Sequence, residues 1–355
     1  MKFSRTQLLT GIIALIVLTG VFAWYINQSS PKPSEPFVVV LPMMDIPPTR
    51  DVTKGFIDKM EELGYKEGVD VIYKRNDYMA PGPVGFEQLR IIYRSYVVES
   101  VDLFFTTDFA DTNAALEVTK AVGKLIPVVT SDIVDPVELG LAKSWRSSGN
   151  NLTGVAEKRN DVVEKALDLF TTIVPGIKTI GVGAKGLKVP SEPSASYYKV
   201  LLEQAEKMGI EIVEYTTDVP PGPGHREEVA RIFNNIKQGE IDAWVHIPGH
   251  FFANQQALEH QMALRIKIPH MLPAIELNDD TGENVGFFTY GADFYKKGQQ
   301  AAVIADKILR GGVNPSEIPL ELPLEYSIVV NLKTAEAIGI TIPSEILEIA
   351  DVIIR

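Results

Sequence analysis

Gly68-Val69-Asp70-Val71-Ile72-Tyr73 is echoed by Gly209-Ile210-Glu211-Ile212-Val213-Glu214-Tyr215, later in the chain. Asp77 and Asp218 stand the same nine residues beyond Gly68 and Gly209. Pro81-Gly82-Pro83 is matched by Pro221-Gly222-Pro223, and Val101-Asp102 by Ile241-Asp242, the aspartates falling 34 and 33 residues after the glycines. Strand–helix–strand chains share a common grammar, and a match of this kind can arise from it by chance. Recurrence at fixed spacing instead points to repeated architecture, and so to two equivalent halves.

Around these anchors, short apolar runs alternate with amphipathic stretches, the pattern of strand–helix units on a mostly parallel sheet. The spacing predicts strands at Phe37–Leu41, Val69–Tyr73, Val101–Thr106 and Ile126–Thr130. A second series falls at Thr179–Val182, Glu211–Tyr215, Ile241–Ile247 and Ile268–Leu272. Val52, Phe56, Met60 and Leu63 follow helical spacing and end at Gly64, a C-cap residue. The expected fold is α/β, two doubly wound parallel-sheet lobes. In such sheets ligands collect beyond the carboxyl ends of the strands, so two facing lobes make a cleft.

The chain has 355 residues, enough for two domains at roughly 100–200 residues each. It is 45% hydrophobic and 23% charged, the chemistry of a packed protein. Its 34 basic against 46 acidic residues leave a formal charge of −12, which argues against nucleic acid as a partner. The absence of cysteine removes thiol nucleophiles, thiolate metal sites, disulfides and a lipid-modified cysteine.

Residues 1–30 form a separate object. Lys2 and Arg5 precede an uncharged stretch whose apolar heart is Leu8–Ile26, about 28 Å as a helix and close to the thickness of a bilayer's core. Trp24 and Tyr25 suit the far interface, with the basic end cytoplasmic. A signal peptide cut near Val21-Phe22-Ala23 and an uncleaved transmembrane anchor are both open. The length of the run favours the anchor. Either places the remainder outside the cytoplasm, after a stiff proline-rich spacer at residues 31–36.

Motifs of common enzymes fail on context. Gly181-Val182-Gly183-Ala184-Lys185-Gly186 fits a dinucleotide fingerprint, yet Pro190 and Pro193 prevent the immediate helix it requires. Its glycines instead suit close backbone approach at the cleft. His246 and His250 have metal-pair spacing, but Pro248-Gly249 breaks the helix between them and no third ligand follows. Asn151-Leu152-Thr153 matches a glycosylation sequon and reads as a turn. No nucleophile elbow or phosphate loop is present, so neither a catalytic residue, a cofactor nor a metal site is expected.

Polar groups gather where strands end. Thr106, Thr107 and Asp108 close one strand, Asp111, Thr112 and Asn113 open the next helix, and Thr130, Ser131 and Asp132 close another strand. Hydroxyls and helix N-termini there can grip a small polar group, or simply cap the helix. Asp108, Asp111 and Asp132 make that pole acidic and favour a ligand carrying a cation.

The C-terminal third carries recognisable wording. Tyr290-Gly291-Ala292-Asp293-Phe294-Tyr295-Lys296-Lys297-Gly298-Gln299-Gln300-Ala301-Ala302 runs into Lys307–Gly312, followed by Asn314-Pro315, Ile318-Pro319, Val330–Ala335, Gly339-Ile340 and Ile342-Pro343. With Asp135-Pro136, Gly140-Leu141 and Asn151–Val155 upstream, this resembles the ABC-transporter substrate-binding proteins of the type I periplasmic-binding fold, including the tryptophan and aromatic-amino-acid binders.

The resemblance implies two lobes joined by three hinge crossings near Thr153, Gly286 and Glu321, enclosing a ligand for an ABC permease. Lobe 1 would comprise residues 37–152 and 287–321, and lobe 2 residues 153–286 and 322–355. The expected ligand-binding residues are Thr107, Asp108, Thr130 and Ser131 on lobe 1, and Ser196, Tyr197, His250 and Phe251 on lobe 2. Glu276 and Asp293 are expected near a crossing. The chain departs from the family pattern where Thr107-Asp108-Phe109-Ala110-Asp111 replaces a small Gly-Thr element, and where Gly183-Ala184-Lys185 replaces Asn and Pro. The expected function is an extracytoplasmic, non-enzymatic receptor for a small polar solute, such as an amino acid. The alternative is a membrane-tethered sensory domain acting through a partner.

Overall fold

Two sheets built to the same plan account for the echo. The computed structural model describes residues 35–42, 47–75, 83–183, 193–219, 224–247, 255–273 and 286–355. The apolar run at 8–26 lies outside them. No helix among the described residues is long and apolar enough to cross a membrane.

The first sheet contains β1 (Phe37–Val40), β2 (Val71–Lys74), β3 (Leu103–Thr106), β4 (Val128–Val134) and β5 (Leu152–Glu157), ordered β2-β1-β3-β4-β5. Every pairing in it is parallel. The second contains β6 (Thr179–Gly183), β7 (Glu211–Tyr215), β8 (Ala243–Val245), β9 (His270–Leu272), β10 (Phe288–Ala292), β11 (Tyr326–Asn331) and β12 (Val352–Ile354). Its order is β12-β11-β10-β9-β8-β6-β7, so β7-β6-β8-β9-β10 repeats the first sheet strand for strand. β11 pairs antiparallel with β10, and β12 runs parallel to β11.

The closing aspartates of the echo perform one task in both halves. Asp102 Oδ2 accepts from the backbone N–H of Val38 at 2.7 Å, and Asp242 Oδ2 accepts from those of Lys178 and Thr179 at 2.8 and 2.9 Å. Each aspartate thereby ties the start of the third strand of its half to the start of the first. Gly68 and Gly209 both adopt positive φ, +79° and +68°, the left-handed turn that glycine tolerates without strain.

Helices cover both faces of each sheet, because buried strands must present apolar side chains alternately up and down. Leu103 and Phe105 point to one face of the first sheet, with Val52 and Phe56 of α1 (Pro47–Glu62). Phe104 points to the other, with Leu89 and Tyr93 of α2 (Pro83–Val98) and Ala115 of α3 (Phe109–Ala121). In the second sheet, Val182 and Val245 pack with Val163 and Phe170 of α4 (Arg159–Ile173) and Leu201 of α5 (Pro193–Met208). Trp244 turns the opposite way, toward Val229 and Phe233 of α6 (His225–Asn235) and Met262 of α7 (Gln256–Ile266).

The remaining helix of note is α8 (Phe294–Leu309), which lies on α1 with backbones in close approach. A Cβ on Gly298 would stand 2.0 Å from the Val52 carbonyl oxygen, and one on Gly55 would stand 1.9 Å from that of Tyr295. Two short helices, α9 (Leu332–Ile338) and α10 (Ser344–Ile349), lie between β11 and β12.

The chain passes between the sheets three times, though two passages differ from the expected positions. Thr153 lies inside β5, opposite Val129 of β4, so the first passage comes at Lys158. Gly286 precedes β10, which pairs with β9, so the second passage comes at Asp293. The third follows Glu321, which still bridges Val155 of the first sheet, and ends where β11 begins at Tyr326. By sheet membership the division falls after 157 and 292 rather than after 152 and 286. Each half has a fifth strand that the short apolar runs did not announce.

Gly181 also has a different task from close approach at the cleft. It sits within β6, and a Cβ there would lie 2.6 Å from Ile241 Cδ1 and 2.7 Å from the Trp244 ring. Its missing side chain makes room for the core.

Candidate functional site

The carboxyl ends of β3, β4 and β5 bring together the polar residues of the first sheet. Asp108 caps α3, accepting from the Asp111 N–H at 2.8 Å. Thr106 and Thr112 share a hydrogen bond of 2.8 Å, and Thr112 reaches Thr130 at 3.4 Å. Ser131 donates weakly to the Thr106 carbonyl at 3.5 Å. These bonds knit the two strand ends to the helix start, so Thr130 and Ser131 are buried struts of the site floor. Thr107 differs: it is 4% exposed and its hydroxyl has no hydrogen-bond partner among the described residues. A buried, unpaired hydroxyl costs free energy unless something arrives to bond it.

The electrostatics are acidic. Burial raises the Asp108 carboxyl above its ordinary range, and the Asp132 charge adds to the shift. Burial and then the neighbouring Asp108 push Asp111 well above the carboxylate range, while Tyr93 donates to it in a short buried bond. The β4–β5 register slips between Thr130 and Ile133, an extra residue in β4 that re-aims Ser131 and Asp132. Asp132 thereby meets Lys297, which also donates to Glu157 Oε1 at 2.8 Å. Lys297 is 2% exposed and lies 4.5 Å from the Phe294 ring centroid. Burial opposes its charge, but the two carboxylates outweigh that and hold the ammonium above its ordinary value.

The second sheet contributes less to the expected set. Tyr197 is buried within the core that includes Leu201 and Val182, a packing position rather than a lining one. His250, Phe251, Glu276 and the Ser196 side chain lie outside the described residues. Asp293 stands at the second passage, where it caps α8 by accepting from the Lys296 N–H at 3.1 Å.

Two constellations were missed by sequence reasoning. Lys297 falls on the apolar face of α8, in step with Phe294, Ala301 and Ala305, and a charge in that register was the available signal. The other is a buried Glu259 whose Oε2 meets His246 Nδ1 at 2.9 Å and His270 Nε2 at 3.2 Å. Burial would raise the Glu259 carboxyl, but the two imidazoles reverse this and hold it at about 2. His260, one residue along α7, is lowered to about 4 by burial and by His270. No group of metal-ligating side chains forms among the described residues.

Comparison with known proteins places this geometry. Residues 38–354 match the family model described as ABC transporter substrate binding protein. The curated "Tyrosine-binding protein" of Clostridioides difficile (strain R20291) is 24% identical over 347 residues, 95% of this chain and 92% of that one. A crystal structure of an ABC domain in complex with L-Trp, from Streptococcus pneumonia, superposes with a TM-score of 0.73 at 22% identity, over 90% of this chain and 100% of that one. A ligand-free, open substrate-binding protein with adhesive properties from Clostridium difficile superposes at 0.67 and 23% identity, over 90% and 99%.

Proposed function

The chain belongs to the ABC transporter substrate-binding protein family, a family of extracytoplasmic binding proteins rather than enzymes, and from that premise we propose that it receives an amine-bearing solute between two closing lobes and hands it to an ABC permease. The observation that carries this reading is the pairing of two like sheets through three passages, with polar groups at the strand ends beside them. Such an arrangement is suited to hinge closure, in which ligand holds the lobes together through its greater affinity for the closed form.

The ligand class follows from charge. Asp108 stands where the family's small element is expected, and the carboxylates of Asp132 and Glu157 outnumber Lys297, so the first-sheet wall favours an ammonium over a carboxylate. The relatives named for tyrosine and crystallised with L-Trp support an amino acid with a planar side chain as the first candidate. We also take residues 8–26 as the segment that tethers the receptor to the cytoplasmic membrane, on sequence grounds.

Isothermal titration with L-tyrosine, L-tryptophan, tyramine and a neutral polyol tests the reading. Heat is expected from the amines and none from the polyol. No heat from any of them, together with no ligand in native mass spectrometry after gentle purification, overturns it.

A further inference from the structure

The start of α8 touches every passage between the two sheets. Lys297 donates to Glu157, the last residue of β5 before the first passage, at 2.8 Å, and also to Asp132. Asp293 is itself the second passage and caps the helix. Gln300, three residues on and therefore on the same helix face, donates to Glu321 Oε2 at 2.8 Å and to the Leu322 carbonyl at 3.1 Å. Its own side-chain oxygen accepts from the Leu324 N–H at 3.2 Å, so one amide holds the third passage at three of its residues. Lys296 adds an exposed ion pair to Glu325 in the same segment. Lys297 and Gln300 are both buried, and Gly298 between them is seated against the backbone of α1.

We propose that the first two turns of α8 are a clamp on all three passages, and that Lys297 and Gln300 are positioning residues that set the balance between the open and closed lobes. The clamp is anchored on one side only: α8 packs with α1 on the first sheet, and its polar side chains hold the straps that lead to the second. Any rotation of the second sheet must bend the straps against these bonds, or trade them for others. Asp132 joins the clamp to the strand-end wall, because it bonds Lys297 and its charge also acts on Asp108. An ammonium drawn to that wall competes with Lys297 for Asp132, so ligand alters how the clamp holds the first strap. This rests on the lobe-closure reading above.

The test needs no ligand. The chain has no cysteine, so Lys120→Cys and Lys199→Cys, one on each side and both exposed, accept a dye pair cleanly. Single-molecule energy transfer on the full chain then reads the populations of the inter-lobe distances. Lys297→Met and Gln300→Leu are each expected to change the ratio of the two populations by about threefold or more. Glu157→Gln, which spares the Lys297–Asp132 bond, stands in if Lys297→Met does not fold. Ratios that move less than that in every folded variant, even with a lowered melting temperature, overturn the clamp. So does a single distance in parent and variants alike. Neither result bears on whether amines give heat in the titration, so failure of the clamp and failure of the binding reading are separately visible.

Discussion

Replacing Gly298 by alanine places a methyl group in the seam between α1 and α8, and the sign of the resulting stability change tests the packing. At an open helical position the substitution would stabilise by about 1 kcal/mol, since glycine is the poorer helix former. Here the methyl carbon would stand 2.0 Å from the Val52 carbonyl oxygen and 2.8 Å from the Phe56 nitrogen. Both are backbone atoms of α1 and cannot rotate away. Restoring ordinary contact requires the helices to part by roughly 1.4 Å, which strips dispersion contacts from the seam. Val52, Phe56, Ala301, Ala302 and Ala305 all lose packing at once. Overpacking of this kind costs about 1–3 kcal/mol, and an immovable backbone obstacle belongs at the upper end. Offset by the helix-propensity gain, the net loss is about 2 kcal/mol. Urea unfolding followed by circular dichroism measures it directly, and the thermal midpoint should fall by about 4–8 °C. A variant as stable as its parent, or more so, would refute the close approach of α1 and α8.

Thr107→Val removes a buried hydroxyl with no partner among the described residues, so the free protein should be as stable as the parent or about 1 kcal/mol more so, read by thermal melting. The same variant should bind amine solutes about tenfold more weakly by titration, and unchanged affinity would remove Thr107 from the site. Asp132→Asn should weaken amine binding by about tenfold and flatten its dependence on salt, measured by titration at two ionic strengths. For acid stability, His260 takes a proton at 6.5 when unfolded but only at about 4 when folded, so stability falls as pH drops through that window. Glu259, held at about 2 against an ordinary 4.5, extends the loss below pH 4.5. Melting curves from pH 8 to 4 should show the first decline below pH 6.5, and His260→Leu should delay it. Glu259→Ala leaves His246 and His270 without their shared acceptor, and at neutral pH should cost about 3 kcal/mol in urea unfolding.

The architecture was legible because its signals are local and repeated. Runs such as Phe37–Val40 and Ala243–Val245 are apolar on both faces, as parallel strands buried between helices must be. Gly68 and Gly209 announce equivalent turns, and Asp102 and Asp242 equivalent ties. The fifth strand of each half was hidden for a physical reason. In Leu152–Glu157 the residues Thr153 and Gly154 interrupt the apolar run. Gly154 is needed because a Cβ there would stand 2.0 Å from the Thr130 carbonyl oxygen, a tertiary contact that no local pattern encodes. In Phe288–Ala292 the residues Thr289 and Gly291 likewise interrupt the apolar run. The first two passages were therefore placed several residues early.

The site was legible only in part, and the division follows from how its residues work. Thr107, Asp108, Thr130 and Ser131 were legible as a strand-end cluster because strand ends and helix starts have short-range signatures in hydroxyls and carboxylates. Lys297, Glu157 and Gln300 were not, because their meaning lies in partners far along the chain: Lys297 is 165 residues from Asp132 and 140 from Glu157. Among surface lysines such a residue is unremarkable, and only its register in α8 sets it apart. That register has a consequence for the whole molecule. A lysine buried on the face of the helix that bears on the core would be expelled unless carboxylates met it, and the bulge in β4 is what delivers Asp132 to that place. The bulge, the buried cation and the acidic wall are thus a single construction. The irregularity that turns Asp132 toward Lys297 also brings its charge to bear on Asp108, so the Lys297 contact and the strand-end cluster share one carboxylate.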